Sequence, residues 1–431
     1  MGLDFRKSIE FKESSIGKIP KTWDVCKLED YVEIKGRIGW KGLKVSEYTM
    51  DGPFIVGGLQ IIDGKVLWNA CAHISQERYD ESPEIKLQEN DILITKDGTI
   101  GKLAYIANVH GQATIASHIH LIRSKSNRII QRFLFYYFNS PKFHSIVEGK
   151  ISGSVIAALT QADINKAEFP LPPINEQKAI AKILSDLDSK IELNQKMNKT
   201  LEAIAQAIFK HWFIDFEFPN EEGKPYKSSG EEMVDSDWGE IPKGWQVKNF
   251  KDIVNLTMGV SPKGNSYNTD GFGVPLLNGA ADFSNGMIEP KKFTTKPVKT
   301  CKEGDLLFCI RATIGNLTYS DKEYCIGRGV AALSPVNKIF KEYSYFTLEY
   351  GLRALISKAS GSVIRGLSKD DISLYKVLVP SDKIMAEFHL LVSSMFSRIR
   401  YLKIETHCLS NLKDSLLPRL ISGKIRVPLE E

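Results

Sequence analysis

Four loops in this 431-residue chain hold the side chains best suited to meet an anionic, hydrogen-bonding partner. The first is Lys35-Gly36-Arg37-Ile38-Gly39-Trp40-Lys41-Gly42. Lys35, Arg37 and Lys41 supply cations, Trp40 supplies an aromatic face, and the glycines allow close backbone approach. The second is Ser261-Pro262-Lys263-Gly264-Asn265-Ser266-Tyr267-Asn268, with Lys263, Asn265, Ser266 and Tyr267 as candidates. Arg or Lys can reach phosphates or guanine edges, and Asn can pair with adenine through two hydrogen bonds. The other two, Lys96-Asp97-Gly98-Thr99 and Arg311-Ala312-Thr313, follow the strand-like runs Ile92-Leu93-Ile94 and Leu306-Leu307-Phe308. Thr99 and Thr313 recur, which suits a shared backbone or phosphate role. Lys96 and Asp97 differ from Ile310 and Arg311, which suits base-specific readout. The alternative is a purely structural turn served by Gly101 and Gly315.

Motifs for covalent chemistry are missing by contrast. An amino-group methyltransferase loop needs [Asn/Asp/Ser]-Pro-Pro-aromatic, but the one Pro-Pro pair stands in Leu171-Pro172-Pro173-Ile174. Gly259 and Gly264 have the spacing of a phosphate-binding P-loop, yet Asn265 occupies the position of its Lys. Glu222-Gly223-Lys224 mimics a nuclease fragment but lies in an acidic stretch that would repel DNA. His118 and His120 alternate and could share a strand face, without a third metal ligand nearby. No Gly-x-Ser-x-Gly turn occurs. The six cysteines, at 26, 71, 301, 309, 325 and 408, never form a C-x-x-C pair. That spacing argues against structural zinc and a disulfide framework, and points to the reducing cytoplasm. The charged N-terminus does not read as a secretory signal, Arg6 breaks a myristoylation motif, and no apolar run is long enough for a membrane helix.

The net charge is +5 and unevenly spread. Residues 176–237 carry eight Lys and thirteen Asp or Glu, so the remainder stands at +10. Positive charge outside the middle segment suits contact with nucleic acid, although ordinary surface variation would read the same way.

The loops are positioned by an internal repeat. Ile19-Pro20-Lys21-Thr22-Trp23 recurs as Ile241-Pro242-Lys243-Gly244-Trp245, and residues 91–105 recur as 305–319. Residues 152–164, SGSVIAALTQADI, recur as 360–372, SGSVIRGLSKDDI, with eight identities in thirteen positions. The offsets shrink from 222 to 214 to 208, so the first copy is 14 residues longer between its Trp and its SGSV motif. Unequal surface loops on a shared fold are where specificity resides. Proline stops at Phe169-Pro170-Leu171-Pro172-Pro173 and Val379-Pro380 mark domain edges.

A long helix follows each stop. The first spans about Asn175 to Phe213 and places Ile180, Leu184, Leu187, Ile191, Asn194, Leu201 and Ile208 on one seam. Asn198 and Ala205 belong to the same seam. The second places Phe388, Val392, Met395, Ile399, Leu402, Leu409 and Leu416 in the same phase and is expected to end at Pro418. The 3–4 spacing predicts a coiled-coil pair, and a polar Asn194 in it would fix register. Two separate amphipathic helices are the alternative. The expected architecture is α/β (α+β): two globular mixed α/β domains joined by two long helices in an antiparallel coiled coil, with pseudo-two-fold internal repetition. The boundaries are 1–173 for the first domain, 174–237 for the central helix and linker, 238–380 for the second domain and 381–431 for the last helix.

Nearly the whole chain resembles the specificity subunit of type I restriction–modification systems. The resemblance rests on the two Ile-Pro-x-x-Trp segments, the SGSVI segments, Leu171-Pro172-Pro173-x-x-Glu176-Gln177 and His211-Trp212-Phe213-Ile214-Asp215-Phe216. The runs Gly223–Tyr226 and Gly239–Pro242, and the tail Leu416–Ile425, match it as well. It implies that each domain is a target recognition domain reading one half of a bipartite double-stranded DNA site. It implies that the helices set the spacer and dock two methyltransferase subunits, with Glu176, Gln177, Trp212 and Phe213 as docking residues. A restriction and translocase subunit would join them. S-adenosylmethionine, ATP and Mg²⁺ would be used by those partners, and no cofactor or metal would be bound by this chain, which would do no chemistry itself. The second junction, Val379-Pro380-Ser381-Asp382, lacks the Pro-Pro and Glu-Gln of the first, so docking there would differ. A scaffold without a nucleic-acid role and a DNA-modifying enzyme remain as rival readings.

Overall fold

The computed structural model describes residues 10–37, 43–151, 158–284, 286–360 and 365–428. It divides into two units, Met1–Ile191 with Cys408–Glu431, and Glu192–His407.

In the first unit the main strands are β1 (Asp24–Lys27), β2 (Val32–Gly36), β3 (Tyr48–Val56), β4 (Ala72–Ile74), β5 (Ile92–Thr95), β6 (Leu103–Tyr105), β7 (Ala113–Ile115), β8 (Ile119–Ser124) and β9 (Glu168–Leu171). A four-stranded antiparallel sheet runs β6-β5-β8-β2, a second runs β7-β3-β4, and β9 pairs with β1. Strand side chains alternate between faces. Ile92, Ile94 and Ile122 therefore enter one core with Trp23, Phe133 and Phe169, while Leu93, Leu121 and Ile119 enter another with Val56 and Ile115. The central strand reads as an unbroken apolar run because both of its faces are covered.

The second unit repeats this plan with β10 (Gln246–Asn249), β11 (Val254–Met258), β12 (Val274–Leu277), β13 (Lys292–Thr294), β14 (Leu306–Cys309), β15 (Leu317–Tyr319), β16 (Tyr324–Ile326), β17 (Val330–Pro335) and β18 (Lys376–Val379). Its main sheet runs β15-β14-β17-β11, in the same order and sense. β12 lies parallel to β16, as β3 does to β7, and β10 pairs with β18 as β1 does with β9. Leu306 and Phe308 face one core, Leu307 and Cys309 the other.

Besides a short helix at Gln76–Asp80, the helices are α1 (Gln131–Phe138), α2 (Pro141–Ile151), α3 (Gln161–Asn165), α4 (Ile174–Phe209), α5 (Lys341–Lys358), α6 (Lys369–Ser373) and α7 (Asp382–Ile421). The repeated motif ending in Asp-Ile is explained in its second half by capping. Thr160 and Asp163 form a capping box at α3, and Ser368 and Asp371 form one at α6. The motif's first half, residues 152–157 and 361–364, lies outside the described residues.

α4 begins in the first unit and ends in the second, and α7 does the reverse. Within each unit the two helices pair antiparallel. In the first, Lys413 Nζ lies 2.6 Å from Asp188 Oδ1, and Ile180 and Leu184 share a core with Leu417, Leu420 and Ile421. In the second, Asn194 Nδ2 donates to Glu405 Oε2 at 2.7 Å, Lys403 pairs with Glu202, and the Phe209 and Phe388 rings lie 6.3 Å apart. Every seam residue named from the sequence is buried or half-buried.

Pro418 does not end α7, which continues to Ile421. The ring removes one backbone donor near the helix end, at a cost of about 3 kcal/mol. Burial of Leu420 and Ile421 offsets this at roughly 2 kcal/mol each. Gly423, at φ +71°, makes the stop. A Cβ there would lie 2.4 Å from Pro20 Cγ. Gly423→Ala should therefore lower the stability of the first unit by at least about 1–2 kcal/mol, the cost of the left-handed backbone alone. Thermal or urea unfolding measures it, and an unshifted midpoint would contradict the packing described.

Candidate nucleic-acid interface

In the second unit, antiparallel order brings the ends of β11 and β14 and the start of β17 to one edge of the main sheet. Backbone bonds fasten that edge: Gly259 N to Val330 O at 3.0 Å, Ile310 N to Gly329 O at 2.9 Å and Gly327 N to Leu277 O at 2.7 Å. Lys263, Asn265, Arg311 and Thr313 are exposed on loops leaving this edge. Ala312 holds φ +59°, where the first unit has Gly98 at +67°, so both turns need a left-handed residue between their candidate side chains. Ala312 N also donates to Arg365 O at 3.1 Å.

The first unit builds the same edge. Lys96 N donates to His118 O at 3.0 Å, Ala116 N to Val56 O at 2.9 Å and Leu159 N to Lys96 O at 2.8 Å, matching the bonds at Ile310, Gly327 and Leu367. Asp97 and Thr99 are exposed and Lys96 is half-buried. Lys35 is half-buried beside Glu33, with Nζ 2.7 Å from its carboxylate. Trp40 and Lys41 lie outside the described residues.

Several candidate side chains prove to be internal. Arg37 is buried, donating from Nε to Ile115 O at 3.1 Å and from Nη2 to Thr114 Oγ1 at 3.3 Å. Burial, with Arg78 adding to it, pushes its guanidinium below the usual value. Ser266 is buried against Thr294 Oγ1 at 2.9 Å, and half-buried Tyr267 donates its hydroxyl to Pro262 O at 3.1 Å. These polar groups shape the loops. His120 is buried with Nε2 2.9 Å from Leu159 O, and burial lowers its pKa. His118 Nε2 accepts from Gly58 N at 3.0 Å. No metal-binding cluster of three His, Cys, Asp or Glu occurs among the described residues.

The four docking residues are internal too. Glu176 is buried, accepting from Trp23 Nε1 at 2.5 Å and pairing with Arg426. Gln177 is fully buried, accepting from Ile130 N and donating to Arg128 O and Pro172 O, each at 2.9 Å. Trp212 and Phe213 lie on a π-type turn, Lys210–Ile214, that extends α4, and they pack on Phe388 at 5.9 and 4.8 Å. All four are buried in the chain's own cores, so a docking role at these positions would not come from exposed faces of these side chains.

A family profile described as the type I restriction modification DNA specificity domain matches residues 20–203 and 242–388. The chain belongs to this family. It is 29% identical over 442 residues to the type I restriction enzyme MjaIX specificity subunit of Methanocaldococcus jannaschii, covering 98% of each chain. It is 24% identical over 437 residues to the HindI specificity subunit of Haemophilus influenzae, covering 84% of this chain and 93% of the relative. The type-I restriction-modification S subunit from M. genitalium shares its fold, with a TM-score of 0.64 at 16% identity over 97% of this chain and 98% of that one. The protein is thus a DNA sequence-recognition subunit of a type I system. No helix among the described residues is long and apolar enough to cross a membrane.

Asn278, Arg328 and Arg365, which are not among the candidates above, are all exposed around the edge of the second unit. Arg328 follows a short buried strand between two glycines, a local signal that was present but outside the repeated segments. Two arginines now separate by role. Arg37→Ala should cost about 1–3 kcal/mol of stability by leaving buried acceptors unpaired, and should leave the salt dependence of DNA binding unchanged. Arg311→Ala should leave the melting point unchanged and weaken DNA binding. Melting curves and binding titrations check both, and a reversed pattern would overturn the assignment.

Proposed function

We propose that each unit's globular part is a target recognition domain reading one half of a bipartite double-stranded DNA site. The domains are 1–173 and 238–380, with 174–237 and 381–431 as the helical parts. α4 and α7 set the spacer and dock two methyltransferase subunits, which a restriction and translocase subunit joins. The chain does no chemistry itself and works in the cytoplasm, and the partners use S-adenosylmethionine, ATP and Mg²⁺.

One observation carries the split-site reading. The two units share strand order and edge hydrogen bonds, yet equivalent exposed positions differ: Asp97 against Arg311, and Ser117 against Arg328. A common frame with different polar groups on it suits two readers of different half-sites. Phosphate contacts position such a protein, and base-edge contacts specify the sequence.

Docking is supported by α7 within the second unit. There Leu390, Leu391, Tyr401 and Ile404 are exposed on the helix, Leu390 at 77%. Exposed apolar side chains on a paired helix suit a helical partner.

Binding of the full chain with its methyltransferase subunits to a random duplex library tests the reading: two fixed half-sites with a constant gap are expected. Replacing residues 19–170 by another head should change one half-site only, and a change in both would refute modular reading. The double substitution Leu390→Asp, Tyr401→Asp should weaken association with a methyltransferase subunit at least about tenfold, as for loss of an apolar interface anchor. Size-exclusion or titration calorimetry reads this, and unchanged affinity would move the docking surface elsewhere.

A further inference from the structure

We propose that Arg328 is a base-reading residue of the second head and that it selects a guanine in that half-site. The inference rests on the split-site reading and assigns chemistry to one point of it.

Arg328 stands in Gly327-Arg328-Gly329, where β16 passes into β17. The flanking backbone is packed on the end of β12. A Cβ at Gly329 would lie 2.0 Å from Asn278 O, and one at Gly327 would lie 2.6 Å from Asn278 Oδ1. Gly327 N donates to Leu277 O, and Gly329 O accepts from Ile310 N. Three strand ends therefore fix the backbone of a residue whose own side chain is exposed. Sites on rigid elements place a side chain more narrowly than free loops do.

The side chain itself is held on one side. Its Nε donates to Ser261 Oγ at 3.3 Å, and the same Oγ lies 3.4 Å from its backbone N. No carboxylate pairs with it among the described residues, and its two terminal nitrogens have no partner there. Asp282, which lies beneath the neighbouring turn, is buried and spends its carboxylate on Asn278 N at 2.7 Å and Gly279 N at 3.3 Å. The result is a guanidinium anchored through Nε with its terminal nitrogens open. Guanine O6 and N7 match that pair of donors, and Arg to guanine is the commonest specific contact in the major groove.

The surroundings separate this role from simple charge. Lys263 and Arg365 are exposed on the loops around Arg328 and can serve phosphates. Neither has a side-chain hydrogen bond or ion pair among the described residues. In the first unit the equivalent segment is Ala116-Ser117-His118, placed by the matching bonds at Ala116 N and His118 O. The frame is kept there without the cation, so the guanine contact belongs to the second half-site alone.

The test is selection from a random duplex library by the full chain with its methyltransferase subunits, for wild type, Arg328→Ala, Arg328→Lys and Arg365→Ala. Wild type should enrich a bipartite motif with an invariant guanine in one half. Arg328→Ala should lose at least tenfold affinity for that motif and accept any base at that one position. Arg328→Lys should lose the discrimination as well, because a lysine keeps the charge without the fork. Arg365→Ala should weaken all sequences alike and reduce the salt slope by about one. A motif unchanged in Arg328→Ala, or fully restored by Arg328→Lys, would overturn the proposal while leaving the split-site reading intact. Failure of the wild type to enrich two half-sites would overturn both. Circular dichroism melts of the variants separate these outcomes from misfolding.

Discussion

The buried carboxylate of Glu176 organises the first unit. Trp23 Nε1 and Arg426 converge on it, joining the segment before β1, the first turn of α4 and the chain that follows α7. Glu176 is 2% exposed, so its carboxylate would be costly without both partners. Gln177, one residue on, satisfies its amide against the backbone at 128, 130 and 172. Two consecutive polar residues thus set where the helix starts and what lies against it. Register in the helix pair follows from that start.

The second unit solves the same problem with apolar groups. Ile384 and Met385 stand where Glu176 and Gln177 stand in the first, and Met385 is fully buried. Trp245 Nε1, the counterpart of Trp23 Nε1, is buried without a partner among the described residues. Its ring is held instead by Phe213, Phe216 and Phe218, with centroids 5.1 to 5.9 Å away. Those phenylalanines come from the end of α4 and the segment after it. The repeat therefore keeps the position of the tryptophan and changes what fastens it. Aromatic packing of this kind is worth about 0.5–1.5 kcal/mol per pair beyond burial, and several such pairs stand in for one ion-pair clasp.

Rigid scaffolding and variable loops then divide the work. Each main sheet has a core on both faces, so its central strands have little freedom to change. The loops at one edge carry no such burden, apart from the polar groups that shape them. Arg37, Ser266 and Tyr267 belong to that shaping set, whereas Asp97, Arg311 and Arg328 reach solvent. A surface of this construction can alter its exposed groups without disturbing the frame beneath.

Much was determined by the sequence alone. Period and repetition specified two similar units, the apolar central strands, and both long helices with their seams, because backbone geometry converts spacing into faces directly. The Asp-Ile repeat carried its capping boxes in three-residue spacing, again a local property. Burial of polar groups was a different matter. Arg37 and Arg311 look alike in sequence, each a cation in a polar loop. Only the approach of Thr114 and Ile115, more than 70 residues away, turns Arg37 inward. Glu176 and Trp212 were legible as unusual, but whether they face a partner or a core depends on Arg426 and Phe388, which sit far along the chain. Local chemistry makes Pro418 a helix end, and tertiary burial of Leu420 and Ile421 overrules it. Local spacing thus fixes faces, and long-range packing alone decides which polar groups remain free to meet DNA.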